Sequence, residues 1–305
     1  MMIMTTTKVA SPRCPLLLTV SSNNNNNNST SSSVSSSTYV VQKYICNELT
    51  WYGGEKFDLR FFWLVVSVDP LIVLFEDGYV RVSATTYNEH NFSSVTGHHL
   101  TNHLYRRQDG TDNNMTSSIH LWNRIQDHYD SHKVTNPILS SIDDPIRHVR
   151  NQMKHSIGVL AAAFEPNMLH RARAPLAVRS TKRNNGDGAT TTAATTRRPV
   201  RFRAENFFGF YGCDFIIDAD LDVYLIESQA SPGLPDHRVK EWERLFIPMM
   251  DTVYEIATKQ STNASANIFP LQNLGGWEVV YASGWKFDYA GYERSNNKTS
   301  CNHHP

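Results

Sequence analysis

The sequence predicts an α+β fold, an antiparallel sheet with packed helices, joined by low-complexity segments. Three observations carry this. Residues 56–83 are dense in aromatic and β-branched side chains. A second strand-like stretch, 207–227, is broken by a polar tip at Asp218–Asp222. Two segments, 145–164 and 239–257, repeat apolar residues at helical spacing.

In chain order, residues 1–38 hold an Asn homopolymer at Asn23–Asn28 amid Ser and Thr. Such a tract cannot bury enough apolar surface to offset ordering entropy, so it is expected to be a disordered tail. Tyr39–Ile45 is short and β-prone. Phe61–Val68 reads as a strand, Asp69-Pro70 as punctuation, and Leu71–Phe75 as its continuation. Asp77-Gly78 is a hairpin-turn dipeptide and Tyr79–Ser83 alternates, which predicts a three-strand meander. Residues 84–118 read as loop and 119–130 as a short helix. Asp144-Pro145 suits an N-cap followed by Pro in the first turn, ahead of Val149, Met153, Ile157, Leu160 and Phe164 on one helical face. Residues 171–205 carry nine Lys or Arg, either a basic arm for an acidic partner or a solvated insertion. Val239–Ala257 predicts an amphipathic helix with Trp242, Leu245, Phe246, Met249, Met250, Val253 and Tyr254 on its apolar face and Pro248 inside it. Residues 275–293 are aromatic enough to be folded; 291–305 is expected to be a disordered tail.

Composition excludes several classes. Lys plus Arg and Asp plus Glu both total 29, a net charge of zero, unlike a protein that coats nucleic acid. No apolar run approaches the roughly 18 residues of a membrane span. Cys14, Cys46, Cys213 and Cys301 form no C-x-x-C pair, which argues against a disulfide scaffold or a cysteine zinc site. Leu16–Val20 is too short for a signal-peptide core, so a cytoplasmic setting is expected.

Chemistry concentrates in two places. Pairing Cys213–Ile217 with Val223–Ile226 through a two- or four-residue loop sets Asp214 directly across from Glu227. Opposed side chains then lie about 4.5–5.5 Å apart at Cβ. Gln229 projects to the same side. Two facing carboxylates suit a hard divalent cation, unless one turns to solvent or pairs with Lys or Arg. A three- or five-residue loop would break this register. Asp218, Asp220 and Asp222 do not make an EF-hand loop, because Val223 and Gln229 stand where Gly and Glu are required. The second cluster, Lys56, Asp58 and Arg60, shares one strand face, and Arg81 adds a guanidinium. It suits a polyanion or carboxylate, or is a solvated sheet face. His99 and His103 lack the Glu and the helical context of a zinc site.

Taken in order, Val41–Ile45, Lys56–Arg60 with Asp69–Leu71, His99–Asn102, and Tyr211–Phe215 with Leu225–Pro232 resemble the tubulin–tyrosine ligase family, which includes tubulin glutamylases and glycylases. The resemblance implies an ATP-grasp-like portion over 39–290, interrupted by the insertion at 171–205. It implies ATP-dependent ligation of a free amino acid to tubulin or another acidic protein tail through an acyl phosphate. Nucleic acid and membrane partners are not expected, and the setting would be microtubule or cilium. By position, Gln42, Lys43 and Ile45 would line the adenine site, and Lys56, Asp58 and Asn102 would bind nucleotide or substrate. Arg60 and Arg81 would act on the transferred phosphoryl, and Asp214, Glu227 and Gln229 would hold Mg2+. Two features depart from the family pattern. Gln229 stands where the family has Asn. Lys8 is the sole lysine upstream of the hinge, where the family carries a domain with further lysines, so the nucleotide clamp is expected to be incomplete. A catalytically impaired, tubulin-binding relative is the alternative reading.

Overall fold

Residues of alternating character over Glu55–Val68 build β1, every side chain from Leu59 to Val68 being buried on one face or the other. The computed structural model describes residues 44–45, 47–88, 98–101, 115–173, 208–234, 242–262 and 274–289. The expected tails at 1–38 and 291–305, and the insertion beyond residue 173, lie outside them. β2 is Leu71–Thr86, β3 Met115–Ser117, β4 Gly209–Ile217, β5 Val223–Ala230, β6 Glu278–Ala282 and β7 Trp285–Lys286. The helices are α1 at Ser118–His132, α2 at Pro137–Ser140, α3 at Pro145–Arg173 and α4 at Trp242–Thr262. The strands form one antiparallel sheet in the order β5-β4-β1-β2-β6-β7, with β3 paired to β2.

Both sheet faces are covered, by different partners. Phe57, Leu59, Phe61, Trp63 and Val65 meet Val149, Met153, Ile157 and Leu160 of α3 and Leu121 and Ile125 of α1. Phe62, Leu64 and Val66 point the other way, into Phe246, Met249, Val253 and Ile256 of α4. Trp277, ahead of β6, closes this second core at 2 % exposure. That gives residues 277–287 their structural role: β6 extends the sheet beyond β2, and Val280 and Tyr281 join the first core. Each fully buried Phe or Leu removes roughly 1.5–3 kcal/mol worth of apolar surface from water, so the two cores dominate stability.

The structure corrects the expected meander. Val68 pairs with Leu71, so Asp69-Pro70 is the hairpin turn, and its peptide bond is cis. Asp77-Gly78 is not a turn. It lies inside β2, where Arg60 pairs with Tyr79 but Phe62 pairs with Glu76, so two residues oppose Phe61. This is a β-bulge. A Cβ on Gly78 would sit 1.9 Å from the Arg60 carbonyl oxygen, so only glycine fits. Asp77 is held from the helix side by Arg150 Nε at 2.8 Å and Trp122 Nε1 at 3.3 Å. The loop expected over 84–118 loses its ends to β2 and to β3 with the first helical residue. Helix α3 runs into the expected insertion, to Arg173, with Asp144 accepting from Arg147 N at 2.8 Å as its cap. Tyr254, expected on the apolar face of α4, is 72 % exposed. Among the described residues no helix is long and apolar enough to cross a membrane.

Replacing Gly78 with Ala forces backbone apart where two strands touch. Gly78→Ala is expected to lower the urea unfolding free energy by about 1–3 kcal/mol, as overpacking does. An unchanged midpoint would contradict the bulge.

Candidate functional site

The bulge at Asp77-Gly78 decides which way Arg81 points. Side chains alternate along a strand, so one extra residue moves everything beyond it to the other face. With the bulge, Arg81 pairs with Asp58 on the face that β1 presents with Arg60. Without it, Arg81 would oppose Phe57 in the core under α3. The same device recurs in β5. Ile217 pairs with Val223, which leaves a five-residue loop, 218–222, rather than the two or four residues expected. That register would place Glu227 across from Cys213, itself wholly buried. Ile226 bulges instead, and Asp214 pairs with Glu227 and Gly212 with Gln229. The predicted opposition of Asp214 and Glu227 is therefore present, but it is reached through an odd loop compensated by a bulge.

On this face the charges interlock. Asp214 receives Arg60 through Nε and, at 2.9 Å, through Nη2. Its Oδ2 also accepts from Arg81 Nη2 at 2.8 Å. Arg81 grips Asp58 with two bonds of 2.6 Å, and Thr101 Oγ1 donates to Asp58 at 2.6 Å. Bidentate guanidinium–carboxylate pairs of this kind are both strong and oriented. Gly212 leaves the space in which Arg60 lies: a Cβ there would sit 3.0 Å from Arg60 Cδ. With its amide oxygen turned to satisfy its neighbours, Gln229 accepts from Arg60 Nη1 at 2.8 Å and from Nη2.

Titration follows from this packing. Burial pushes the Asp214 carboxyl upward, but the hydrogen bonds and charges of Arg60 and Arg81 outweigh it and hold its pKa below the ordinary value. Burial lowers Arg60 and Arg81, and their carboxylate partners more than reverse this, so both stay charged. Glu227 goes the other way. Burial, then the negative Asp214 beside it, raises its pKa against the opposing pull of Arg60 and Arg81.

Lys56 stands at the end of the same face. Its Nζ pairs with Glu48 and donates to Tyr44 Oη at 2.9 Å, and it lies 4.7 Å from the Tyr44 ring centre and 5.2 Å from that of Tyr87. His99 Nδ1 is 2.8 Å from Tyr44 Oη. The fold thus brings Lys56, Asp58, Arg60, Arg81, Asp214, Glu227 and Gln229 to one face. Ile45 is described and half-buried; Gln42, Lys43 and Asn102 lie outside the described residues. Sequence reasoning missed Glu48, Tyr44 and Thr101. The signal for Thr101 was its place in His99–Asn102, two residues beyond a histidine of the same cluster.

The donor set fits a hard divalent cation in part. Asp214 and Glu227 are adjacent carboxylates, and the Glu227 pKa is raised first by burial and then by the negative Asp214 beside it. Among the described residues no three His, Cys, Asp or Glu converge on one point. Remaining ligands would come from phosphate oxygens, as is usual for Mg2+. The Gln229 oxygen faces Arg60 in this arrangement.

Asp214→Asn removes the charge that two buried guanidiniums share, with an expected loss of about 3–5 kcal/mol at neutral pH. Because the Asp214 pKa is depressed in the folded state, its contribution is full above the ordinary carboxylate range and falls as pH drops through the folded value. Urea titrations from pH 7 downward should show the wild-type advantage shrinking with acid. A difference independent of pH would refute this role.

The order of these segments recurs in known proteins. The model of the tubulin-tyrosine ligase family matches residues 20–167 and 169–265. Protein polyglycylase TTLL10 of Rattus norvegicus is 25 % identical over 250 residues, spanning 79 % of this chain and 30 % of that protein. The probable tubulin polyglutamylase TTLL9 of Mus musculus is 24 % identical over 255 residues, 81 % of this chain and 44 % of that protein. The inactive polyglycylase TTLL10 of Homo sapiens is 25 % identical over 195 residues, 64 % and 24 % respectively. The chain spans less than half the length of each of these relatives. Both matched segments together take in β1, β2, β4 and β5 with every charged residue placed above, and the chain belongs to the tubulin-tyrosine ligase family.

Proposed function

We propose that this chain carries an ATP-dependent amino-acid ligase site, of ATP-grasp type, acting on tubulin or a similar acidic tail through an acyl phosphate. The observation that supports it most directly is the Arg60–Asp214–Arg81 cluster with Glu227 at its rim. Arg60 and Arg81 would face the phosphoryl group in transfer and the oxygens of the acyl phosphate. Both are oriented in advance by carboxylates, which is what electrostatic stabilisation of a developing charge requires. Lys56 would pair with nucleotide phosphates, and Gln42, Lys43, Ile45 and Asn102 would complete the nucleotide site. Asp214 and Glu227, with Gln229 if it turns from Arg60, would hold Mg2+. A bound magnesium ion would supply charge neutralisation of the phosphates. The relatives named for tubulin modification support tubulin as the acceptor, and with it a cytoplasmic, microtubule or ciliary setting.

A second reading, a tubulin-binding relative without catalysis, is favoured by one contact. Gln229 spends its oxygen on Arg60. Its extra methylene relative to Asn displaces that oxygen from where small, octahedral Mg2+ would take it.

Calorimetry of Mg-ATP binding separates these readings, with transfer of labelled tyrosine, glutamate and glycine to tubulin as the second readout. Wild type is expected to bind, Glu227→Ala about 10- to 100-fold more weakly, and Arg60→Ala to transfer nothing. If wild type and Glu227→Ala bind alike, or neither binds, the ligase reading fails. Co-sedimentation with microtubules in the absence of Mg-ATP binding would favour the second reading.

A further inference from the structure

The charged face ends in a lysine that the chain itself neutralises. Lys56 Nζ pairs with Glu48, whose side chain is wholly buried. The backbone on either side of Glu48 is pinned to the end of β4. Leu49 N donates to Ile217 O at 2.8 Å, and Asn47 O accepts from Ala219 N at 2.9 Å. Glu48 forms a β-bridge with Asp218 between these two bonds. Tyr44, Tyr87 and His99 enclose the lysine from the other side, both tyrosine rings meeting the His99 ring edge-on. A carboxylate buried in this way is not free to swing into water, and parting it from its cation is costly. Across the face, Lys56, Arg60 and Arg81 stand against Glu48, Asp58, Asp214 and Glu227, three cations against four carboxylates.

We propose that Glu48 makes this site selective for a nucleotide that arrives with its divalent cation: by neutralising Lys56, it denies the metal-free nucleotide the charge of the lysine. This deepens the ligase reading above and rests on it. An ammonium is a compact point charge with three donors, so Lys56 can keep Glu48 and still donate to a phosphate oxygen. The phosphate then shares one nitrogen with a fixed carboxylate. Like charges brought that close repel by more than one added hydrogen bond returns. A ligand that carries its own cation is nearer to neutral and meets little of this repulsion. Removing the Glu48 charge alone would leave three cations against three carboxylates, and a bare polyphosphate would then be admitted.

Calorimetry on the full chain at fixed ionic strength measures ATP affinity with Mg2+ and, separately, with a chelator. Glu48→Gln keeps the shape of the side chain and an oxygen for Lys56 while removing the charge. It is expected to bind metal-free ATP at least about tenfold tighter than wild type, and Mg-ATP within about threefold of it, so the Mg2+-dependent gain shrinks. Metal-free affinity equal to or below wild type overturns the proposal, as it would if Glu48 only held Lys56 in place. An equal rise for both forms of the nucleotide overturns it too. Asp130→Asn, on the exposed side of α1, controls for net charge, and a rise there as large as in Glu48→Gln also overturns it. The double variant Glu48→Gln with Lys56→Met removes both charges and carries the test should the single variant not fold. Because the native pair presents no net charge, the double variant is expected to bind metal-free ATP as wild type does. A loss of about tenfold or more would mean that Lys56 draws the nucleotide in spite of Glu48, against the proposal. If wild type binds ATP in neither form, the ligase reading fails, and inorganic tripolyphosphate decides the role of Glu48. Binding by Glu48→Gln alone sustains it, while binding by both alike, or by neither, overturns it.

Discussion

A strand puts successive side chains on opposite faces, and the whole charged cluster depends on where that alternation is broken. Arg81 and Glu227 each lie beyond one supernumerary residue, Gly78 or its neighbour Asp77 in β2 and Ile226 in β5. With the pairing nearest each turn kept as it is, removing either break moves a charged side chain into the core packed against α3. Burying an unpaired charge there costs more than a bulge, which loses one ladder pairing. The bulges are thus the cheaper way to combine two continuous apolar faces with one charged end.

The charged end is tolerated because it is nearly self-compensating. Arg60 pairs with Asp214, Arg81 bridges Asp214 and Asp58, and Lys56 pairs separately with Glu48. Glu227 is the surplus carboxylate; burial first, and the neighbouring Asp214 second, raise its pKa. A protein that only needed stability would replace such a network with apolar side chains at little cost or with a gain. Four interlocked charges and an excess acid on a sheet face, next to a tightly packed apolar half covered by α4, would suit the charged ligand that the proposed ligase site takes.

Much of this was legible in the sequence, for physical reasons that can be named. The period-two pattern of Lys56–Arg60 gave the face, because alternation is fixed by backbone geometry. The helix over 145–164 followed from its spacing and its Asp144 cap. The opposition of Asp214 and Glu227 also emerged, although the loop length assumed for it was wrong and the bulge that corrected it was invisible. Bulges are hard to read because they leave no compositional mark beyond a glycine. Asp77-Gly78 carries the same letters as a hairpin turn, and what separates the two is the Arg60 carbonyl 1.9 Å from where a Cβ would stand. That is a tertiary contact made by a residue far back in the chain. Thr101 and Glu48 were missed for a related reason: each reaches the site from a connecting segment, where no periodicity assigns a direction.

Both breaks in alternation are secured by the same helix. Arg150 of α3 holds Asp77 at the first, and Gln152, two residues on, bonds Leu221 O and Val223 N in the turn that precedes the second. Arg150 is fixed in turn by Glu278 of β6, which also takes Lys154 Nζ at 3.0 Å. Site geometry is therefore set from the far side of the sheet, by side chains that touch none of the charged groups. A substitution at Arg150 of α3 would release the contact on Asp77 and would then act on Arg81 through the backbone of β2. Sensitivity of that kind separates a sheet that merely carries charges from one built to hold them in one arrangement.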